Sequence, residues 1–190
     1  MPLASVEDVA ARMGQPVSPE DFPRIAAFLL DATGLIEDYC GRDLDRRQDQ
    51  EIVLNAEGGC RLPVPARYLT FLTASAVQVD GQAVTGWTFN GRQLVLGEAW
   101  PEGPVTLTAS WGFPTIPPSL RAIVCGEVMR WLAVSPGVQM ERIGEMEVQF
   151  SGASSTQALS ALTRTALRPY RRRGVGVMTL RREGPYAWGY

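Results

Sequence analysis

The fold is decided by residues 117–173, which begin Pro117-Pro118-Ser119-Leu120-Arg121 and end Leu167-Arg168-Pro169-Tyr170-Arg171-Arg172-Arg173. The opening prolines suit the first turn of a helix, where an amide hydrogen would lack a partner anyway. On a helical wheel Leu120, Val124, Val128, Trp131 and Leu132 share one arc, and Ile123, Cys125 and Met129 widen it most of the way round. A helix this apolar, running to about residue 134, is buried on more than one side. Ser135-Pro136-Gly137 breaks it. From Glu141 to Phe150 the spacing alternates, with Met146, Val148 and Phe150 on one face and Glu145, Glu147 and Gln149 on the other, which predicts a half-buried strand. A serine-rich bend at 151–156 precedes a second short helix, expected at 157–167.

Upstream, Ser5 followed three residues later by Asp8 predicts a capped helix that Gly14 ends. A longer one is predicted from Ser18, with Pro19 in its first turn and Glu20 and Asp21 at the positive end of its dipole. Phe22, Ile25, Ala26, Leu29, Thr33, Ile36 and Cys40 follow helical spacing up to Gly41. Phe28, Leu35 and Tyr39 form a second apolar line. Together with Met129 they are candidates for a contact between subunits; a broad stripe facing one monomer's core explains them equally.

Residues 42–50 are dense in charge and read as a solvated loop. Asp43, Asp45, Asp49 and Glu51 imitate a calcium loop, but the glycine needed for its sharp turn is missing. The period then changes from 3.6 to 2. Strand candidates at 51–54, 69–79, 82–84, 87–89 and 93–96 are punctuated by the hairpin signals Asp80-Gly81 and Asn90-Gly91. Val105, Leu107, Ala109 and Trp111 alternate strictly. The expectation is a small antiparallel sheet inserted between helices, with Pro63 and Pro65 marking an edge. The fold class is therefore α+β: a small helical bundle, an inserted β-sheet region and an extended C-terminal arm. The divisions expected are 1–45, 46–116, 117–170 and 171–190.

The 190 residues contain no histidine and no lysine, so all 18 basic side chains are arginine. That removes imidazole bases, Ser-His and Cys-His nucleophiles, Schiff-base lysines and Walker-type phosphate loops. Cys40, Cys60 and Cys125 form no Cys-x-x-Cys pair and are expected as reduced thiols, two of them in the core. No cofactor or metal site is expected, and no enzyme. No apolar run spans a bilayer and the first 13 residues lack a signal-peptide pattern, so a soluble protein that is not exported is expected. Charge is unevenly placed: residues 1–60 carry net −7 and residues 121–190 net +5. Such polarity suits head-to-tail contact between copies. Arg168, Arg171, Arg172 and Arg173 form the one basic cluster, able to pair with carboxylates or to touch phosphate weakly. Tyr186, Trp188 and Tyr190 end the chain as an aromatic arm suited to docking.

The order of these features resembles the head-to-tail connector (adaptor) proteins of tailed bacteriophages. The resemblance rests on the Pro-Pro-initiated helix, the Gly144-Glu145-Met146-Glu147-Val148-Gln149-Phe150 strand and the short helix ending in the 167–173 run. It covers residues 3–42 and 117–173 and treats the β region as an insertion. The resemblance implies a virion neck protein made in the host cytoplasm, with twelve copies in a ring. The ring would sit against the portal protein, pass double-stranded DNA non-specifically through its lumen and receive a stopper or tail-completion protein. It also implies that the arm docks on the portal and that Arg168 and Arg171 to Arg173 face the channel or an interface. The competing expectations are a small nucleic-acid-binding protein using that cluster and an enzyme built on carboxylate-held metal.

Overall fold

Two hydrogen bonds fix where the chain begins to coil. In the computed structural model, which describes residues 2–133 and 158–172 and the backbone of 140–143 and 146–149, Ser5 Oγ accepts from Asp8 N while Ser5 N donates to Asp8 Oδ2. This capping box starts α1 (Val6–Met13), which ends at Gly14. The second helix, α2 (Phe22–Cys40), starts one turn later than Ser18-Pro19 predicts. Ser18 Oγ instead closes a separate turn, accepting from Asp21 N and donating to Asp21 Oδ2. Pro23, which has no amide hydrogen, then falls in the first turn of α2, where none is needed.

The apolar faces of α1, α2 and α3 (Pro118–Ala133) meet in one core of Val9, Leu29, Ile36, Leu120, Val124, Val128 and Trp131, joined by Leu167 after the short α4 (Ala161–Ala166). Each large side chain buried there contributes about 2 kcal/mol. One position on α3 breaks its apolar character. Glu127 is buried, and its carboxylate accepts from Arg130 Nε at 2.8 Å and Nη2 at 2.6 Å and from Ser160 N at 3.0 Å. Arg130 also donates to the carbonyl of Ala158. Because Ser160 caps α4, this carboxylate clamps the last short helix to α3. Burial would raise the Glu127 carboxyl, but hydrogen bonds from Thr163, Ser160 and Arg130 outweigh it and hold the group below its ordinary range.

Between α2 and α3 lies a β region with its own core. A four-stranded antiparallel sheet has the order β1 (Arg47–Ala56), β7 (Gly103–Trp111), β3 (Thr73–Val79), β4 (Gln82–Ala83). A second sheet places β6 (Gln93–Val95) between β2 (Arg61–Pro63) and β5 (Thr88–Phe89). The single sheet expected from the sequence is thus two, and β2, which carries Pro63, pairs with β6 alone as an edge strand of the second. Strand β7 alternates as predicted: Val105, Leu107, Ala109 and Trp111 are buried, and they meet Leu62, Leu94 and Trp100 from the second sheet side. Asp80 and Gly81, both at positive φ, make the two-residue turn into β4.

The segment expected as one strand at 141–150 is a hairpin, β8 (Met140–Ile143) against β9 (Met146–Gln149). Phe150 and the faces assigned to this segment's side chains lie outside the described residues. Helix α4 is shorter than the predicted 157–167, because Ser160 caps it.

The predicted solvated loop at 42–50 is the largest correction. Asp43 and Asp45 are only 1% and 5% exposed. Asp43 N donates to the carbonyl of Arg67, and the Asp43 carboxylate accepts from Arg67 Nη2 at 2.8 Å and from the Trp111 indole at 2.9 Å. Arg47 reaches Asp45 at 3.0 Å, and Glu37 of α2 accepts from the amides of Leu44 and Asp45. The chain crosses from bundle to sheet through this cluster. Directly over it, Gly112 has φ +86, and a β-carbon there would lie 1.7 Å from the carbonyl oxygen of Asp45. No side chain fits that approach.

Two outcomes follow. Gly112→Ala should lower stability by about 3 kcal/mol or more, read from the urea midpoint, since strain at positive φ adds to a backbone clash. Glu127 has a folded-state pKa below its unfolded one, so its contribution is complete above the unfolded value and disappears as pH falls through the folded value. Thermal melts between about pH 3 and 5 should therefore slope less steeply in Glu127→Gln than in the parent, at a lower stability near neutral pH.

Candidate interaction surface

The C-terminal end of α2, the 3-10 turn Ala66–Tyr68, the β5–β6 hairpin and the strap after α4 enclose a groove of about 750 Å³. Its floor is apolar, from Val64, Ala66 and Leu69, and its rim carries Arg42, Arg92, Arg171 and Arg172. Each arginine is placed by local backbone chemistry. Arg42 follows Gly41, which ends α2. Arg92 sits in the β5–β6 turn, where Asn90 Oδ1 accepts from the amides of Arg92 and Gln93, and the carbonyl of Arg92 accepts from Val64 N. Arg172 N donates to the carbonyl of Cys40 at 2.8 Å, which ties the strap to the end of α2.

Among the described residues no acidic one lines the groove. Arg47, Arg67 and Arg130 each have carboxylate partners, whereas the guanidinium groups of Arg42, Arg92, Arg171 and Arg172 have no ion-pair partner among the described residues. Arg171 lies 5.5 Å from the centre of the Tyr39 ring. Thr70 also lines the groove, and its Oγ1 is buried with no hydrogen-bond partner among the described residues. Cys40, just beneath, offers no nucleophile: burial pushes its thiol up to about 11, although Arg42 and Arg171 pull the other way. The arrangement can receive negative charge and apolar surface together, and among the described residues it holds no general base.

Of the basic cluster read from the sequence, Arg171 and Arg172 enter the groove. Arg168 is exposed on the turn after α4. Arg173 lies outside the described residues, as do Tyr186, Trp188 and Tyr190. Arg42 and Arg92 carry no local signal, since Arg42 opens the charged run at 42–50 and Arg92 stands alone in a turn, and only the fold brings them to Arg171. Of the interface candidates, Phe28 is half-buried edge-on against Trp131, ring centres 5.7 Å apart. Tyr39 donates its hydroxyl to the carbonyl of Arg164 at 3.0 Å. Met129 is half-buried against the bundle core, and Leu35 is exposed. The calcium-like acids are pulled apart: Asp43 and Asp45 pair with arginines, while Asp49 accepts from Ser110 Oγ at a β1 bulge. Among the described residues no group of acids and cysteines could hold a metal ion, and no helix is long and apolar enough to cross a membrane.

The two classes of arginine separate by stability. Arg92→Ala should change unfolding free energy by no more than about 0.5 kcal/mol. Arg67→Ala, which takes the nearest cation from the buried Asp43 carboxylate, should cost about 3 kcal/mol in the same urea titration.

No protein-family model matches this chain, and no curated protein matches it. A solved structure does. The chain is similar to one from the "Neck of empty GTA particle computed with C6 symmetry", with a TM-score of 0.60 and 15% identity, over 93% of this chain and 92% of that one. At that identity the likeness is one of fold, and it takes in the β region as well as the helices.

Proposed function

We propose that this protein is a structural neck subunit: a head-to-tail adaptor forming a ring below the portal, which extends the DNA channel and docks a stopper or tail-completion protein. The observation that carries the reading is the match in fold, nearly end to end, with a chain from a particle neck. The resemblance to phage adaptors in the order of sequence features points the same way. A chain without histidine or lysine also lacks the groups that most enzyme mechanisms use at neutral pH. The ring has about twelve copies on this reading, a number that a six-fold particle accommodates as pairs. The copies are neighbours in the virion, and DNA passes them without being read.

In this reading the segment 174–190, with Tyr186, Trp188 and Tyr190, attaches the ring to the portal, and Arg168 and Arg173 face the channel or an adjoining subunit. Native mass measurement of the purified chain, alone and then with portal rings, tests both parts. The expected result is a portal complex carrying about twelve copies. A chain lacking residues 174–190 should keep the parental melting temperature and fail to attach. A full-length chain that never joins the portal overturns the adaptor reading, and a truncated chain that attaches normally overturns the arm assignment.

A further inference from the structure

We propose that the arginine groove is a socket for a second copy of this chain, and that the plug is the exposed turn at 19–22, formed by Pro19, Glu20, Asp21 and Phe22. This inference rests on the ring reading and names the contact between neighbours.

The groove asks for an occupant with two properties. Arg42, Arg92 and Arg172 present guanidinium groups that no described carboxylate neutralises, so the occupant is acidic. The floor of Val64, Ala66 and Leu69 is apolar, so the occupant also carries a hydrophobic side chain. A bare phosphate backbone has the first property and lacks the second. The buried, unpartnered Thr70 hydroxyl supplies a further polar group at the same place.

The turn at 19–22 has both properties. Glu20 and Asp21 are exposed, and Phe22 stands 47% exposed immediately after them. Glu20 has no hydrogen-bond or ion-pair partner among the described residues. Pro19 and the Ser18–Asp21 hydrogen bonds hold the turn in shape, so little ordering entropy is lost on docking. The chain's own last residues have the wrong sign, since 173–190 contains three arginines and one glutamate.

Geometry forbids the plug from reaching its own socket. The plug precedes the first residue of α2 and the socket borders its last, and 19 helical residues at 1.5 Å each separate them by about 28 Å. The contact is therefore between copies, and it is heterologous. Each copy offers one plug and one socket, so repetition closes a ring when the rotation per step allows it.

The probe is a labelled, end-blocked peptide of residues 15–23, titrated onto the full-length chain. Binding should weaken with salt and fall at least about tenfold for Arg92→Glu/Arg172→Glu, whose two sites are exposed and outside the core. Arg92→Ala/Arg172→Ala provides a milder second variant should the reversed one fold poorly. A peptide bearing Glu20→Arg and Asp21→Arg should bind the reversed groove and not the parent. In full-length form, the groove-reversed chain and a Glu20→Arg/Asp21→Arg chain should each fail to self-associate alone and should associate when mixed. No peptide binding to the parent, equal binding to the groove-reversed chain, or a short DNA duplex bound in the peptide's place with the same arginine dependence would each overturn the socket. Portal-bound rings that form normally from the groove-reversed chain would remove the socket and leave the adaptor reading standing. Peptide capture by a chain that never joins a portal would keep the socket and remove that reading.

Discussion

Among the groups that hold the two halves of this structure in register, the carboxylate of Asp43 is the most deeply buried. It is almost fully buried and receives Arg67 and the indole of Trp111, while Arg47 stands 3.8 Å away. A charge in that position is costly unless its hydrogen bonds are made, so the arrangement of partners is tightly specified. Apolar faces would let bundle and sheet slide over one another with little penalty. Directional bonds to one carboxylate choose one orientation. Gly112 reinforces the choice by allowing the end of β7 to pass against the Asp45 backbone. The groove is a consequence of that orientation, because one wall comes from the helical part and the other from the β region.

What could be read from the sequence and what could not divide along the range of the interactions. The helices up to Gly41 and from Pro118 announce themselves by period and caps, which are local, and β7 by strict alternation. The burial of Asp43 depends on residues 24 and 68 positions away, so a window around it shows only a polar run. Glu127 interrupts an apolar helix and could have raised suspicion, but its partner Ser160 is 33 residues on. The extra turn before α2 shows competing local chemistry: Ser18 is a good cap, yet it caps a turn of its own. The groove was half legible. Arg171 and Arg172 stood in a visible cluster, whereas Arg42 and Arg92 carry no mark until α2 and the β5–β6 hairpin bring them together.

Arginine serves two purposes here, and burial of the partner tells them apart. Arg67 and Arg130 are each at least two-fifths exposed, yet their carboxylate partners are about 1% exposed, so these cations belong to the fold. The groove arginines face no such acid among the described residues. A planar guanidinium can pair side by side with a carboxylate and also lie against an aromatic ring, which suits a contact that mixes acid with hydrophobe. With lysine absent throughout, both tasks fall to one residue type.

The placement of the sulfurs has a practical outcome. Cys40 and Cys125 are enclosed in the bundle, with thiols that burial makes harder to ionise, and Cys60 is exposed beside β2. Alkylating or maleimide reagents near neutral pH should thus mark one atom per folded polypeptide, at a known spot on the β region. A fluorophore or spin label placed there would report distances between successive copies in an assembly without any engineered substitution.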